Sequence, residues 1–507
     1  MPALIVHGHF YQPPRENPWT GVVELEPSAA PWHDWNERIH SECYQPNAGA
    51  RITEPATGRE RIVNNYAHIS FNFGPTLLSW LETNHPNTYA RIIEADRESA
   101  LKNCGHGNAI AQAYGHVILP LCNDRDRLTQ VLWGIEDFRY RFGRAPESLW
   151  LPETACNKAT LDLLIEQSMR FVVLSPKQAQ IVRTSDGHWL SVADGSIDTS
   201  RAYRYFHRDK SGRAIAIFFY DGPLSHAIAF ERILDSSKRL VEFCKRVAKN
   251  KILVNTAIDG ETYGHHFKFG DLCLAYALEV EAPKEGFRIT NYGEFLAEHP
   301  AEIEVELKPG PDGEGTACSC AHGLGRWTHD CGCHTGGEDG WNQAWRKPLR
   351  AALDFLRDEA ADQYERAGSE LFRDPWAARN HYIQLLLDDD RSRERFLQEQ
   401  AHRNLSSFEE DRAMALLEMQ RNALLMFTSC GWFFNDLAGI ETLQILKYAA
   451  RVIQLLDELE LPSPRNRFLQ ILSEARSNVR ELGSGAEIYS RFAEQFAKTY
   501  ETSMIVK

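Results

Sequence analysis

Through its first 300 residues the chain repeats one pattern: a short apolar run, a turn, then a stretch with helical spacing. The apolar runs fall at 3–9, 68–73, 108–113, 148–152, 171–174, 214–220, 252–258 and 287–290, and helical patterns at 125–142, 157–167 and 233–249 separate several of them. Short runs without polar alternation read as strands buried on both faces. Strands joined through helices pair in parallel, because the crossover brings the chain back in the same direction. The pattern therefore predicts βα units around a parallel sheet, and seven or eight such units favour a closed barrel over an open one.

The pattern breaks at residues 309–340, where nine of the chain's 33 glycines gather with four cysteines in an irregular loop. Beyond Trp341 the spacing is helical. Trp345, Leu349, Leu353, Leu356 and Ala360 recur at i, i+3, i+4 intervals, as do Leu443, Leu446, Ala450, Ile453 and Leu456. The expected organisation is a catalytic barrel over 1–300, a Gly/Cys-rich loop over 301–340 contributing to the cleft, and an α-helical domain over 341–507.

Charge narrows the class of partner. With 56 Lys+Arg against 70 Asp+Glu the net charge is −14, which disfavours a binder of nucleic-acid phosphates. The start of the chain lacks the basic and apolar regions of a secretory signal, and apolar runs stay short of a membrane span of about 18 residues. Eleven cysteines cannot all pair within one subunit. A reduced, cytoplasmic protein without membrane or nucleic-acid partners is expected, its oligomeric state open.

Chemistry in a parallel barrel collects where the strands end. Three acids stand there: Glu153 after SLWLP, Asp221 after AIAIFFY and Asp259 after ILVNTAI. Each can equally cap a helix or make a structural hydrogen bond. In the first strand His7 and His9 share a face, with Gln12 in the turn beyond it. They suit a metal or the hydroxyls of a sugar. His116, His265 and His266 are expected near the same rim.

These segments, in this order, resemble the conserved regions of glycoside hydrolase family 57. The first region appears as His7-Gly8-His9-Phe10-Tyr11-Gln12-Pro13, and the second as Ala113-Tyr114-Gly115-His116 followed by Val117-Ile118-Leu119-Pro120-Leu121. The third appears as Trp150-Leu151-Pro152-Glu153 and the fourth as Asp259-Gly260-Glu261-Thr262-Tyr263-Gly264-His265. The stretch FFYDGPLSHAIAF around Asp221 is also similar to a family segment. The resemblance covers residues 1–300; the remainder of the chain resembles a helical extension and a C-terminal region of some bacterial members.

The resemblance implies an α/β fold, an incomplete (β/α)7 barrel followed by an α-helical C-terminal domain. It also implies a retaining enzyme of α-1,4-glucans or maltooligosaccharides that needs no cofactor. Glu153 would be the nucleophile and Asp259 the general acid/base, with His7, His9, Gln12, His116, Trp150, Asp221 and His265 binding substrate. Asp259 must begin protonated, which burial and the charge of Glu153 would promote. Amylase, 4-α-glucanotransferase and branching enzyme stay open within the family. So do a non-catalytic carbohydrate-binding protein on this scaffold and a metal-dependent hydrolase using His7, His9 and an aspartate.

Aromatic rings stack on the CH faces of sugars. Trp327, in a glycine-rich segment with Arg326 and Asp330, is expected to bind substrate, as is Trp432 in CGWFFNDLAGIE. The departures from the family lie in these stretches. Cys318, Cys320, Cys331 and Cys333, with His322 and His334 nearby, form a CxC–x10–CxC arrangement. Four soft ligands in one loop can hold a zinc, although CxxC is the usual spacing; disulfides or free thiols are the alternatives.

Overall fold

In the computed structural model, which describes residues 1–54, 57–388 and 392–499, the first apolar run becomes a strand buried along its whole length. Seven parallel strands succeed one another: β1 (Ala3–Phe10), β2 (Ser70–Phe73), β3 (Ala111–Gln112), β4 (Leu149–Trp150), β5 (Phe171–Leu174), β6 (Ala214–Phe219) and β7 (Leu253–Asp259). β1 lies between β7 and β2, setting His9 opposite both Asp259 and Asn72. A single bridge, Phe71 to Ala109, leads from β2 toward β3, which pairs with β4 so that Gln112 faces Trp150. Another bridge, Ser148 to Phe171, leads to β5, which pairs with β6. Between β6 and β7 the backbone link is the Asp221 N–H donating to the Asn255 carbonyl at 2.8 Å.

No sheet among the described residues closes on itself, so the closed barrel expected from the repeat is not seen as one continuous ladder. The chain is instead a mixed α/β arrangement with a helical C-terminal region. Strand length explains part of the interruption. β4 stops after two residues because Leu151 leads into the short 3-10 turn Pro152–Thr154, and proline has no N–H to offer a ladder. The run at 287–290 likewise pairs over only Arg288–Ile289, beside Ala3 and Leu4.

Six further strands among the described residues escape the sequence pattern, two of them the antiparallel hairpin of Ala50–Thr53 and Glu60–Val63. Ala202–Phe206 runs antiparallel to β6, Ile303–Leu307 lies beside it, and Ala179–Arg183 and Trp189–Ser191 extend the sheet to six. Polar residues interrupt three of these four, and Trp189–Ser191 is only three residues long and exposed, so they carry no continuous apolar run. Alternate strand residues Ile5, Phe171, Val173, Phe218 and Leu253 form one cluster with Tyr292, the first residue of the helix Tyr292–Glu298. Each such side chain stabilises the fold by roughly 1.5–3 kcal/mol through burial.

The chain divides into two compact units. The first comprises Met1–Gln12, Leu25–Ala113 and Phe138–Cys318; the second comprises Pro13–Glu24, Tyr114–Asp137 and Ser319–Lys507. The second unit is built on Arg346–Gly368, Ser407–Leu425 and Ile440–Glu458. Leu349, Leu353, Leu356 and Ala360 are fully buried, as the i, i+3, i+4 spacing requires. A capping box starts the middle helix, with Ser406 and Glu409 each accepting from the other's backbone. Buried Arg379 is held by Asp126 at 2.8 Å and Thr129 at 2.7 Å, which offsets the cost of burying its charge. Among the described residues no helix is long and apolar enough to cross a membrane.

Candidate active site

Strand alternation sets His7 and His9 on the same side of β1, and register sets Ser70 and Asn72 opposite them. His7 Nδ1 lies 3.0 Å from Ser70 Oγ and its Nε2 3.1 Å from Asn72 Oδ1. Asn72 Nδ2 in turn donates to His9 Nδ1 at 2.9 Å and to Gln112 Oε1 at 2.8 Å. Trp150 stacks on both imidazoles, its ring centre 4.7 Å from His7 and 5.1 Å from His9. Its packing therefore orients the histidines. Trp150 Nε1 and Gln112 Nε2 are buried donors with no partner among the described residues.

Burial, reinforced by the neighbouring His9, drives the His7 pKa down to about 3. Burial also lowers His9, to about 4, against the opposing pull of Asp259 and Asn72. Both rings are therefore neutral at pH 7. Neither belongs to a cluster of three candidate metal ligands among the described residues, and both His7 nitrogens are already engaged.

Glu153 sits at φ 58°, ψ 18°, and Thr154 comes next at φ 49°. Side chains with a Cβ avoid this left-handed region, and each such residue costs on the order of 1–3 kcal/mol unless its surroundings enforce it. Gln178 enforces it here. Its Oε1 accepts from Thr154 Oγ1 at 2.8 Å, and its Nε2 donates to the Thr154 and Thr316 carbonyls at 2.8 and 3.0 Å. The Glu153 carbonyl accepts from the Cys318 N–H at 2.9 Å. A strained, braced turn ends β4 and presents a partly buried carboxylate.

Asp259 ends β7 and is exposed, and its carboxylate makes no hydrogen bond with the described residues. The turn after it is possible because residue 260 is glycine. A Cβ there would lie 2.2 Å from the Phe10 ring. Register sets Asp259 opposite His9, and Trp150, three residues before Glu153, stacks on the His9 ring. Burial, then the charge of Glu153, then that of Asp259 push the Cys318 thiol up to about 12, while Thr154 hydrogen-bonds to it. The Tyr220 phenol also reaches Cys318 and is raised by burial, by Cys318 and by Asp259.

The burial expected around Asp259 falls on Glu261 instead. That carboxylate accepts from Tyr44 Oη at 2.7 Å and from the Tyr11 N–H at 3.0 Å. Burial outweighs the Tyr44 hydrogen bond and, with the charge of Asp259, pushes its pKa up to about 8. Glu261 is thus a neutral acid two residues from Asp259.

The histidines and Glu261 act on stability in opposite directions of pH. The folded histidines refuse protons that the unfolded chain accepts below 6.5. Stability is therefore lost as pH falls from 6.5 toward 4, since each tenfold loss of proton affinity on folding is worth ~1.4 kcal/mol. Glu261 keeps a proton that the unfolded chain releases above 4.5, so its share declines as pH rises from 4.5 to 8. Thermal unfolding across pH 4–9 is expected to show Glu261→Gln gaining on the wild type through that window. Parallel profiles for the two proteins would contradict a buried, protonated Glu261.

Other expected site residues lie elsewhere or are engaged in the fold. Asp221 caps the helix Gly222–Phe230 through the Leu224 N–H at 3.0 Å and pairs with Lys251 at 3.5 Å. His265 bonds to Glu42, whereas His266 is the histidine that feels the charge of Asp259. Gln12 donates to the Tyr11 carbonyl at 3.0 Å. His116 belongs to the second unit, at φ 51°, with Nδ1 2.8 Å from Ser429 Oγ.

Trp327 and Trp432 require correction. Their surroundings in sequence suggested sugar-stacking faces, yet they are 0% and 1% exposed within the helical unit. Asp330 is exposed, but its oxygens accept from the Gly332 and Gln343 N–H groups and so shape the loop. Sequence reasoning missed Asn72, Gln112, Gln178, Tyr220 and Cys318 as members of the cluster. A glutamine or asparagine at the end of an apolar run was the signal for the first two.

Comparison with known proteins places the chain in a family. A family model described as Glycosyl hydrolase family 57 matches residues 3–308, and one described as a domain of unknown function (DUF3536) matches 341–503. α-Amylase 1 of Dictyoglomus thermophilum is 24% identical over 198 residues, spanning 39% of this chain and about a quarter (26%) of the amylase. The chain resembles the solved exo-type maltose-forming amylase of Pyrococcus sp. ST04 (TM-score 0.68, 14% identity, 99% of this chain and 89% of that one). It also resembles the GH57-type branching enzyme of Pyrococcus horikoshii (TM-score 0.58, 15% identity, 100% and 98%). A third likeness is to the 4-α-glucanotransferase of Thermococcus litoralis (TM-score 0.52, 14% identity, 90% and 60%). With its family match spanning the strand ends that carry Glu153 and Asp259, the chain belongs to glycosyl hydrolase family 57.

Proposed function

We propose that this protein is a retaining enzyme of α-1,4-glucans that works through a covalent glycosyl-enzyme on Glu153, with Asp259 as general acid and then general base. The observation that carries the reading is the placement of both strand ends around His9: register sets Asp259 opposite it, and Trp150, three residues before Glu153, stacks on its ring. The two acids thus end strands far apart in sequence that face one imidazole. A retaining mechanism needs such convergence, with carboxyl groups about 5–5.5 Å apart. We read the seven parallel strands as an incomplete (β/α)7 barrel open between β6 and β7, with residues 1–300 catalytic and 341–507 an accessory helical domain.

The surroundings suit each step. Glu153, on its braced turn, attacks the anomeric carbon while Asp259 gives a proton to the departing glycosidic oxygen. Asp259 then takes a proton from the acceptor as it displaces the sugar from Glu153. The neutral imidazoles of His7 and His9 suit sugar hydroxyls, and Glu261 buries an acid beside Asp259 without adding a second negative charge. Water as acceptor makes the reaction hydrolysis; a sugar 4-OH makes it disproportionation; a 6-OH makes it branching. The solved relatives are named for all three outcomes.

The test is incubation with amylose and maltooligosaccharides, followed by product sizing and linkage analysis. New reducing ends alone identify a hydrolase, redistributed chain lengths a glucanotransferase, and new α-1,6 linkages a branching enzyme. Absence of any change in every α-glucan offered would remove the proposal and favour a binding protein on the same scaffold.

A further inference from the structure

The loop after the first unit gathers four ligand atoms that the proposed chemistry does not use. Cys320, His322, Cys331 and Cys333 each direct one sulfur or nitrogen to a common region, with all four atoms within 4.8 Å of one another. Cys320 Sγ lies 3.9 Å from both Cys331 Sγ and Cys333 Sγ, and Cys333 Sγ lies 3.6 Å from His322 Nδ1. A disulfide needs about 2.05 Å between sulfurs, so these cysteines are not bonded in pairs. Tetrahedral zinc, with Zn–S about 2.3 Å and Zn–N about 2.05 Å, requires S···S edges near ~3.8 Å and S···N edges near ~3.5 Å. The observed edges match that tetrahedron.

The weakness of CxC as a ligand spacing is removed by one backbone angle. Gly332, between Cys331 and Cys333, has φ +81°, in the left-handed region. That turn lets adjacent odd positions deliver their sulfurs to one point, which an extended backbone would prevent. Asp330 holds the turn by accepting from the Gly332 N–H at 3.2 Å. Cys318, the fourth cysteine of the sequence pattern, is not in the cluster; its thiol belongs with Glu153 and Tyr220. His322 takes its place.

Charge supplies an independent observation. Arg346 is fully buried and donates to the Cys333 carbonyl at 2.8 Å, with its other bonds to the Phe433 and Phe434 carbonyls. Arg326, also buried, donates to the Phe433 carbonyl at 3.2 Å and lies over the Phe433 ring. Among the described residues neither guanidinium pairs with a carboxylate. Two buried cations call for a neighbouring anion. Three thiolates and one neutral imidazole around a divalent ion carry a net charge of −1.

We propose that Cys320, His322, Cys331 and Cys333 form a structural Cys3His zinc site, binding Zn2+ with release of three thiol protons and fixing the loop that contains Trp327. With all four positions filled by protein, no open position remains for a water or substrate, so the site is structural.

Metal analysis of full-length protein, purified without chelator under reducing conditions, is expected to find one zinc per chain. Cys320→Ser and Cys333→Ser should lose it, and Cys318→Ser should keep it. Because a ligand variant can fail to fold, the wild-type chain is also stripped and titrated with Co2+. A tetrahedral spectrum with thiolate charge transfer at one equivalent supports the site; a weak octahedral spectrum or no uptake overturns it. Zinc content well below one per chain with no uptake on addition, or zinc lost in Cys318→Ser and retained in Cys333→Ser, would also overturn it. So would peptide mapping that finds a disulfide among residues 320, 331 and 333 in the reduced preparation.

Discussion

Glu153→Gln is expected to abolish turnover, lowering kcat by ~10^4-fold or more, as removal of a covalent nucleophile does. Glutamine matches glutamate in shape and accepts the same backbone conformation, so the braced turn at φ 58° should persist. What disappears is the negative oxygen that bonds the anomeric carbon. The expected result is thus a stable, folded, inactive protein. A fluorinated glycosyl donor, whose glycosyl-enzyme turns over slowly, should label the wild type at residue 153 and leave Glu153→Gln unlabelled. Mass spectrometry of the labelled peptide reads the outcome directly, and a label retained by the variant would assign the nucleophile elsewhere.

Asp259→Ala is expected to cost ~10^2–10^4-fold on natural glucans, the usual worth of general acid–base catalysis. The loss should shrink with an activated donor, whose leaving group departs without a proton. Added azide should then restore turnover, because it attacks the glycosyl-enzyme without needing a base. The rival is Asp221, and geometry separates the two. Asp259 is exposed with a carboxylate free of hydrogen bonds to the described residues. Asp221 is buried, capping a helix and facing Lys251. Its replacement should register as lost stability of ~1 kcal/mol from the cap. Azide rescue of Asp221→Ala, with none for Asp259→Ala, would reverse the assignment.

The strand ends were readable because burial leaves an imprint in local composition. Runs such as ILVNTAI and AIAIFFY can be continuous only where both faces are covered, and an acid directly after one stands at a boundary. The helical half was readable for the same reason, through the spacing of Leu349, Leu353 and Leu356. The interior strands Ala202–Phe206 and Ile303–Leu307 were not, since their alternation is short and their pairing is set by distant segments. The tryptophans misled because a glycine-rich segment looks exposed until its own fold buries it. Trp327 lies in such a segment, and its burial comes from contacts that local composition does not encode.

Local order therefore determined the kind of element, the strand-end acids and the histidine face of β1, because each depends on neighbours within a few residues. Tertiary structure alone decided that His9 stands opposite Asp259 and against Trp150, that Asp221 is a cap, that Glu261 is the buried acid, and that His322 rather than Cys318 completes the sulfur cluster. The reason is physical. Charge interaction, desolvation and ligand geometry act through space over a few ångströms, between groups that the chain keeps tens to hundreds of residues apart.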